Sequence, residues 1–331
     1  MARTMPTYGD VLAARQRLGS LVCRTPLIEH PALNAIVGGR VLLKAENLQR
    51  VGAFKFRGAY NKIAQLEKDD YPGGVVACSS GNHAQGVAAA ATLRGLKSAI
   101  VMPSDAPRLK VERTQAFGGE VVAYDRVTED REAIARELCA KRNAAYVHPF
   151  DDPDVIAGQG TVGLEMMEQA AALEATPDIV LVGASGGGLV SGVSIAVKQA
   201  NPATAIYTVE PAGFDDFARS LQLGTRQRNS KLAGSICDAL LSATPGEMTF
   251  EMGKRNLAGG LAVADEEALA AVRFAFRELK LVLEPGGAVS LAAVLSKKLP
   301  FEGKTVAVVL SGGNVDPALF ADIILDQRKA A

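Results

Sequence analysis

The sequence contains no tryptophan, only three histidines and no excess of either charge. Its 36 Lys and Arg side chains are balanced by 36 Asp and Glu side chains, so the basic surface typical of nucleic-acid-binding proteins is missing. No apolar run reaches the roughly 18 residues that span a bilayer. The first ten residues also lack the apolar core of a signal peptide. We therefore expect a protein that binds neither nucleic acid nor membranes.

Cysteine is scarce as well, and its four copies are scattered through the chain without a CxxC pair. This distribution favours free thiols in a reducing cytoplasm over a disulfide framework or a zinc site. The four residues are Cys23, Cys78, Cys139 and Cys237.

What the chain does have is hydrophobic content of 48% over 331 residues, enough for two α/β-sized domains. Apolar segments of strand length alternate with helical segments, which predicts an α/β fold with parallel sheets covered by helices on both faces. Breaks near residues 50 and 150 predict a large domain of residues 1–50 and 150–331, with a small domain of residues 51–149 inserted into it. Residues 211–260 are rich in Gly, Pro and Ser, and are expected to be irregular active-site loops.

Lys55 is the most distinctive single residue. It lies between Phe54 and Phe56 and stands at the N-terminus of a predicted helix, FRGAYNKIAQLEK. The partial positive charge of a helix N-terminus and desolvation by the two rings both disfavour an ammonium group, so its pKa is expected to fall. That is the condition for a lysine nucleophile that forms a Schiff base, although most helical lysines are simply solvated.

A glycine-rich segment, VGASGGGLVSG at residues 182–192, follows a predicted strand and opens a helix. Backbone amides at such a helix N-terminus bind phosphate well. The dinucleotide fingerprint G-x-G-x-x-G fails because Ser191 stands where the last glycine should be. The P-loop fails because no Gly-Lys-Ser/Thr follows.

The same segment satisfies the hydrolase pattern G-x-S-x-G, with Ser185 as the candidate nucleophile. In that fold the triad histidine follows the serine. Here His30, His83 and His148 all precede Ser185, so only a permuted triad would remain open.

Two further turns, SSGNHAQG at residues 79–86 and LSGGNVD at residues 310–316, also lie at predicted strand ends. The amides and hydroxyls of the first could hold a second anion, such as a carboxylate. Because ligands gather at the carboxyl ends of parallel strands, we expect these turns, the glycine-rich segment and Lys55 to form one site.

Together, GAFKFRGA around Lys55, SSGNHAQG, the glycine loop at 185–188, GQGTVGLE at 158–165 and SGGNVD resemble the fold type II pyridoxal-phosphate enzymes. The resemblance is strongest to threonine/serine dehydratases and serine racemases, and it covers about residues 7–320. It implies a tryptophan synthase β-like fold, two open parallel-sheet domains with pyridoxal phosphate between them, and a homodimer. From the resemblance we expect no counterpart of the regulatory C-terminal domain of biosynthetic threonine dehydratases.

The resemblance also assigns cofactor contacts. Lys55 would link to the cofactor, Phe54 would lie against the pyridine ring and Asn82 would hold the ring hydroxyl. Ser311 would face the pyridine nitrogen, and a neutral hydroxyl there suits β-elimination. The phosphate would be bound by Ser185, Gly186, Gly187, Gly188 and Leu189, with Ser185 replacing the first of the four glycines found in most members.

For catalysis, the resemblance implies that Lys55 removes the α-proton of a hydroxyamino acid. Ser80 matches the second acid/base of racemases, although carboxylate binding alone is an equally good interpretation. Arg131 matches a position shared with racemase-like and hydroxyaspartate dehydratase members, whereas Phe150 departs from the asparagine of racemases. The expected substrate-binding residues are Ser79, Ser80, Gly81, Asn82, His83 and Arg131.

The leading functional hypothesis is therefore a dehydratase, an ammonia-lyase of L-threonine or L-serine. The alternatives are a serine racemase with side dehydratase activity, a lyase for 3-hydroxyaspartate or a related amino acid, and a non-enzymatic binding protein of the same fold.

A divalent cation site is the last prediction. TVEPAGFDD at residues 208–216 brings Glu210 and Asp216 to the two ends of a turn, with the carbonyl of Phe214 between them. Such oxygen ligands suit Mg²⁺ or Ca²⁺, and Mn²⁺ is a further candidate. Spacing alone favours solvated acidic residues, but racemase-like members of the family bind a cation with this spacing.

Overall fold

Two parallel-stranded sheets organise the molecule. The computed structural model describes residues 4–106, 108–125 and 127–326. Within these ranges the strands are β1 (Leu27–Glu29), β2 (Arg40–Ala45), β3 (Val75–Cys78), β4 (Ser98–Pro103), β5 (Glu120–Tyr124), β6 (Ala145–Tyr146), β7 (Ile179–Gly183), β8 (Ala205–Pro211), β9 (Gly259–Val263) and β10 (Thr305–Leu310).

The helices of the same ranges alternate with these strands for most of the chain. They are α1 (Tyr8–Leu18), α2 (Pro31–Val37), α3 (Lys55–Ile63), α4 (Asn82–Leu93), α5 (Arg108–Ala116), α6 (Arg131–Arg142), α7 (Pro153–Ala172), α8 (Gly188–Ala200), α9 (Asp216–Leu223), α10 (Glu247–Asn256), α11 (Asp265–Phe274), α12 (Pro285–Leu295) and α13 (Pro317–Ile324). A short π-helical segment, Ala275–Leu279, continues α11.

The larger sheet has six strands in the order β1-β2-β10-β7-β8-β9. All neighbouring pairs are parallel except β1 and β2, so a three-residue antiparallel strand forms one edge. Successive residues of a strand point to opposite faces. Accordingly, Leu43 and Val308 pack into one buried cluster, whereas Leu42 and Val309 pack into a second one. The apolar strands therefore support a core on each face of this sheet.

The smaller sheet has four parallel strands in the order β5-β4-β3-β6. Its strands come from residues 75–146, between β2 and β7 of the larger sheet. The chain thus crosses from the larger sheet to the smaller after β2 and returns after β6. The α/β prediction with parallel sheets is confirmed, while the exact domain boundaries at residues 50 and 150 stay a prediction.

Residues 211–260 differ from the expectation of irregular loops. They contain helices α9 and α10 and the start of β9, as well as irregular segments. The Gly, Pro and Ser content misled the prediction because helix α10 is stabilised by tertiary burial of Phe250 and Met252 rather than by its composition.

Helix α1 begins with a capping box. The Thr7 hydroxyl accepts from the amide of Asp10, and the Asp10 carboxylate accepts from the amide of Thr7 at 2.7 Å, which completes a capping box. Among the described residues, no helix combines the length and apolar character required to cross a bilayer.

Candidate active site

One cavity lies where the carboxyl ends of β3, β7 and β10 face each other across the two sheets. It brings together the fourteen residues predicted to act in catalysis, cofactor binding or substrate binding, from five separate segments. They are Phe54, Lys55, Ser79, Ser80, Gly81, Asn82, His83, Arg131, Ser185, Gly186, Gly187, Gly188, Leu189 and Ser311. The expectation that the glycine-rich turns and Lys55 would meet at strand ends is therefore confirmed.

Lys55 is the first residue of α3, and its amine lies in the wall of this cavity. The Nζ atom donates to the carbonyl of Pro149 at 2.8 Å. Desolvation by the surrounding protein lowers the Lys55 pKa to about 8. The prediction of a lowered pKa is confirmed, and part of the amine is therefore in its neutral, nucleophilic form near physiological pH.

Only one of the two flanking phenylalanines faces this amine. Lys55 Nζ lies 5.2 Å from the centroid of the Phe54 ring, which lines the cavity. Phe56 is fully buried in the core below the smaller sheet and packs against Tyr60. The prediction that both rings desolvate Lys55 is therefore corrected, because consecutive helical positions point in different directions.

Helix α3 is anchored by Arg57, two residues after Lys55. The Arg57 guanidinium is fully buried and donates to both carboxylate oxygens of Glu46, at 2.8 and 2.9 Å. On its other side it meets Glu165 of α7, which also accepts from buried Lys44 at 2.7 Å. These two cations and two carboxylates fix the start of the helix that carries Lys55.

The glycine-rich loop ends at the N-terminus of α8, a helix of 13 residues. Gly187 adopts the left-handed conformation, with φ of 95°, and a Cβ there would collide with the ring of Phe217. No described residue accepts a hydrogen bond from the amides of Gly186, Gly187, Gly188 or Leu189. Free donors at a helix N-terminus are the arrangement that binds phosphate.

Ser185, which stands in place of a glycine at the start of this loop, is held by its own side chain. Its Oγ accepts from the amide of Ser242 at 3.0 Å. In the described part of the chain, no histidine side chain bonds to Ser185, and His148 Nδ1 accepts from the amide of Asp151 at 2.8 Å instead. The hydrolase alternative therefore lacks the base that its serine would need.

The loop before α4 offers a second set of free amides. The amide of Gly81 donates to Ser79 Oγ at 3.1 Å, whereas those of Ser80, Asn82 and His83 donate to no described residue. Burial lowers the pKa of His83 to about 3, so its ring is neutral, and Nε2 lies 3.0 Å from the carbonyl of Val147. His83 therefore contributes its amide rather than a charge.

Polar cavity residues that were not predicted from the sequence include Glu284, Asn314, Lys110 and Asp238. Two of them bind the predicted residue Asn82: its Nδ2 lies 2.5 Å from Glu284, and its Oδ1 accepts from Asn314 Nδ2 at 2.7 Å. Burial raises the pKa of Glu284 to about 7, although the Asn82 hydrogen bond acts to lower it. Lys110 also lines the cavity and pairs with Asp238. The only local sequence signal for Glu284 is its position directly before Pro285, because proline is common at the first position of a helix.

Arg131 opens α6, exposed to solvent but in the cavity wall. Its guanidinium and the Lys110 ammonium are cations that a substrate could meet on the side of the smaller sheet. Phe150, across from them, packs its ring so closely on the glycine loop that a Cβ on Gly186 would collide with it. The ring meets His148 edge-on, with centroids 4.7 Å apart.

The predicted cation ligands lie outside the cavity, around the turn between β8 and α9. Glu210 is fully buried and accepts from the amides of Phe217 and Ala218 at 2.9 and 2.8 Å. Asp216 is also fully buried; its Oδ1 accepts from Asn229 at 2.6 Å, while its Oδ2 has no partner. Within the described residues, no group of three or more His, Cys, Asp or Glu side chains is arranged to hold a metal.

Burial disfavours the charged form of both carboxyl groups. Burial raises the pKa of Glu210 well above its usual value, and the charge of Asp216 raises it further. Burial raises the pKa of Asp216 to about 7. Two buried carboxyl groups, one of which has an unpartnered oxygen, would be stabilised by a cation. The carbonyl of Phe214, the third predicted ligand, is also an oxygen donor of the kind that Mg²⁺ and Ca²⁺ bind. The site stays a prediction.

Comparison with known proteins agrees with this architecture. A family model for pyridoxal-phosphate dependent enzymes matches residues 19–312. The chain belongs to this family. Similar proteins include an L-threo-3-hydroxyaspartate ammonia-lyase of Saccharomyces cerevisiae, which is 41% identical over 320 residues covering 97% of each chain. An L-threonine ammonia-lyase of Thermotoga maritima is 42% identical over 320 residues, which cover 97% of this chain and 78% of that protein.

Among solved structures, that of maize serine racemase superimposes with a TM-score of 0.91 over 98% of each chain, at 35% identity. The fold type II arrangement expected from the sequence is confirmed by this likeness and by the family match. The resemblance to threonine/serine dehydratases and serine racemases is confirmed in the same way.

Proposed function

We propose that this chain is a pyridoxal-phosphate-dependent ammonia-lyase. Its substrate is a β-hydroxy-α-amino acid, L-threonine or L-serine, and its products are a 2-keto acid and ammonia. The observation that carries this proposal is the single cavity in which Lys55, the phosphate-binding amides, Asn82 and Ser311 converge. The ammonia-lyases and the racemase to which the chain is similar support the same class of substrate.

The residues present fit pyridoxal phosphate. Four free amides at the start of α8, from Gly186 to Leu189, suit the phosphate, and Ser185 Oγ lies at the same turn. Lys55 supplies the amine, Phe54 an apolar ring beside it, Asn82 an amide for the ring hydroxyl and Ser311 a neutral hydroxyl for the ring nitrogen. When bound, the cofactor supplies the electron sink for the reaction.

The substrate carboxylate is assigned to the loop of residues 79–83, whose free amides lie at the N-terminus of α4. Lys55, as the neutral amine, takes the α-proton. The β-hydroxyl then takes up a proton and leaves, so that the α-hydrogen and the hydroxyl are lost together as one water. A water molecule hydrolyses the remaining enamine to the keto acid and ammonia. Burial of Lys55 favours the neutral base that this step requires.

A lyase for 3-hydroxyaspartate is the second candidate, favoured by the two cations in the cavity wall. Arg131 and Lys110 line the cavity, Lys110 in an ion pair with Asp238, and would be the cations that neutralise the second carboxylate of such a substrate. The side chains of L-serine and L-threonine carry no charge with which Arg131 or Lys110 could pair.

Racemisation of serine is a third activity that the cavity allows. It requires a second acid/base on the face opposite Lys55, and Ser80 lines the same cavity. The Phe150 ring, which fills the space above Gly186, favours elimination instead, because racemases of this family carry an asparagine at this position.

Further parts of the proposal concern the assembly. A divalent cation, Mg²⁺, Mn²⁺ or Ca²⁺, would be held by Glu210, the carbonyl of Phe214 and the unpartnered oxygen of Asp216.

The free thiols of the four cysteines support a cytoplasmic location, and a homodimer is proposed by family likeness. The division into residues 1–50 with 150–331 and residues 51–149 is proposed from the two sheets.

The decisive experiment incubates the protein loaded with pyridoxal phosphate with L-threonine, L-serine and both L-3-hydroxyaspartate isomers. Keto acid, ammonia and D-isomer are measured together. We expect keto acid and ammonia in equal amounts, and none from Lys55→Ala. If no hydroxyamino acid yields keto acid, or if Lys55→Ala retains full turnover, the assignment is wrong.

A further inference from the structure

A chain of four polar side chains crosses from one sheet to the other beside the cavity. Arg113 Nη1 donates to Asn314 Oδ1 at 2.9 Å. Asn314 Nδ2 donates to the carbonyl of Val51 at 2.8 Å and to Asn82 Oδ1 at 2.7 Å. Asn82 Nδ2 donates to Glu284 Oε1 at 2.5 Å.

The direction of this chain is fixed at its start. A guanidinium only donates hydrogen bonds and a backbone carbonyl only accepts them. Arg113 and Val51 therefore leave Asn314 one orientation, with its oxygen toward Arg113 and its nitrogen toward Val51 and Asn82. The nitrogen of Asn314 in turn requires the oxygen of Asn82, so the nitrogen of Asn82 must point the other way.

The nitrogen of Asn82 carries two hydrogens, and the described residues account for one of them, in the bond to Glu284. Asn82 lines the cavity, so the second N–H is available to a ligand there. Glu284 is nearly fully buried, and a Cβ on Gly312 would collide with its carboxylate. The glycine at position 312 thus leaves the space in which the Asn82–Glu284 contact forms.

We propose that Arg113 and Asn314 are positioning residues that turn the amide nitrogen, rather than the oxygen, of Asn82 toward the ring oxygen of pyridoxal phosphate. The proposal rests on the function proposed above and extends it to Arg113, which does not line the cavity, and to Asn314, which lines it and acts through Asn82. Arg113 lies on α5 and Asn314 follows β10, so the orientation depends on contacts between the two sheets.

The orientation has a chemical consequence. An N–H donor stabilises the ring oxygen as an anion, whereas an amide oxygen in its place would favour the neutral hydroxyl. When the ring oxygen is an anion and the linking nitrogen carries the proton, the cofactor joined to lysine absorbs in the visible range; when the proton is on the ring oxygen, it absorbs in the near ultraviolet. The ratio of the two bands therefore reports which end of Asn82 faces the cofactor, without any measurement of turnover.

The test uses Asn314→Asp, which is isosteric, still accepts from Arg113 and cannot donate to Asn82. In this variant the Asn82 nitrogen is drawn toward the new carboxylate. We expect the visible-to-ultraviolet ratio to fall, and the dissociation constant of pyridoxal phosphate to rise, each by about tenfold, the effect of one buried hydrogen bond.

Asn61 provides a matched control. Its Oδ1 accepts from Arg17 at 2.8 Å and its Nδ2 donates to the carbonyl of Asp154 at 2.7 Å, the same pattern without a cavity residue. Asn61→Asp should lower the melting temperature and leave the band ratio unchanged. If both Asp variants alter the spectrum equally, general loosening explains the effect and the proposal is wrong.

A second pair of variants covers the case in which Asn314→Asp does not fold. Arg113→Gln retains an N–H donor for Asn314, whereas Arg113→Met removes it, and the Arg113 side chain is only partly buried. We expect Arg113→Met to lower the ratio of visible to ultraviolet absorbance and Arg113→Gln to preserve it. An unchanged ratio and cofactor affinity in both Asn314→Asp and Arg113→Met overturn this proposal alone. A wild-type protein that gains no visible band with pyridoxal phosphate overturns the proposed function together with it.

Discussion

The guanidinium of Arg57 donates two parallel hydrogen bonds to the carboxylate of Glu165, at 2.8 and 2.9 Å. Burial alone would raise the pKa of Glu165, but the bonds and charges of Arg57 and Lys44 outweigh burial and hold the pKa below its usual value. The pair joins α3, which begins with Lys55, to α7. This buried pair therefore ties the helix that carries Lys55 to α7.

Arg57→Met should therefore destabilise the protein by about 3–5 kcal/mol, because it removes the ion-pair partner of buried Glu46 and leaves Glu165 with Lys44 alone. Urea unfolding measures this difference. The matched control is Arg142→Met, which removes an ion pair with Glu120 at the surface of the smaller sheet and should cost at most about 1 kcal/mol. Equal losses in the two variants would contradict the importance given to the buried network.

The pKa of Lys55 predicts how the cofactor-free protein captures pyridoxal phosphate. Only the neutral amine attacks a carbonyl. With the pKa lowered from 10.5 to about 8, the capture rate should rise with pH and level off above about pH 8. Stopped-flow absorbance measures the rate, and Lys55→Ala should show no linkage that borohydride can reduce. A rate that still climbs about tenfold per pH unit between pH 9 and 10 would mean an ordinary lysine.

Ser80→Ala should separate two reactions. If the enzyme racemises serine, the variant should lose formation of D-serine and keep elimination from L-serine, since Lys55 alone serves the L-face. Chiral chromatography and a keto acid assay on the same sample provide the measurement. A parallel loss of both activities with a raised KM would make Ser80 a carboxylate-binding residue.

Arg131→Gln tests the acidic substrate. If Arg131 pairs with a second carboxylate, the variant should lower kcat/KM for 3-hydroxyaspartate by about 10–100-fold, the value of a hydrogen bond to a charged group, and change that for L-serine little. Arg136→Gln, on the exposed face of the same helix, is the control. Equal loss with both substrates would exclude a role in side-chain recognition.

Cation binding at Glu210 and Asp216 should stabilise the protein. A chelator should lower the melting temperature, and Mg²⁺ or Mn²⁺ should restore it; a cation at about 100 times its dissociation constant contributes about 2.7 kcal/mol. Asp216→Ala should abolish this response, whereas Asp215→Ala, at a partly exposed position next to it, should retain it. A chelator response that survives Asp216→Ala would place any cation elsewhere.

The parts of the site that could be predicted from the sequence are local. A lysine at a helix start and glycines after a strand leave a signal within a few residues, and both lie where they were expected. The Asn82 partners leave none, because Glu284 and Asn314 are 202 and 232 residues away in the chain. Phe56 shows a further limit, since its neighbour in sequence faces the cavity while its own ring faces the core.

The hydrogen bond from Lys55 to the carbonyl of Pro149 joins the two places where the chain passes between the sheets, after β2 and after β6. The Lys55 amine therefore lies beside both passages between the sheets. A tilt of one sheet against the other about these passages would displace this amine less than atoms at the far ends of the strands, because displacement in a rotation grows with distance from the axis.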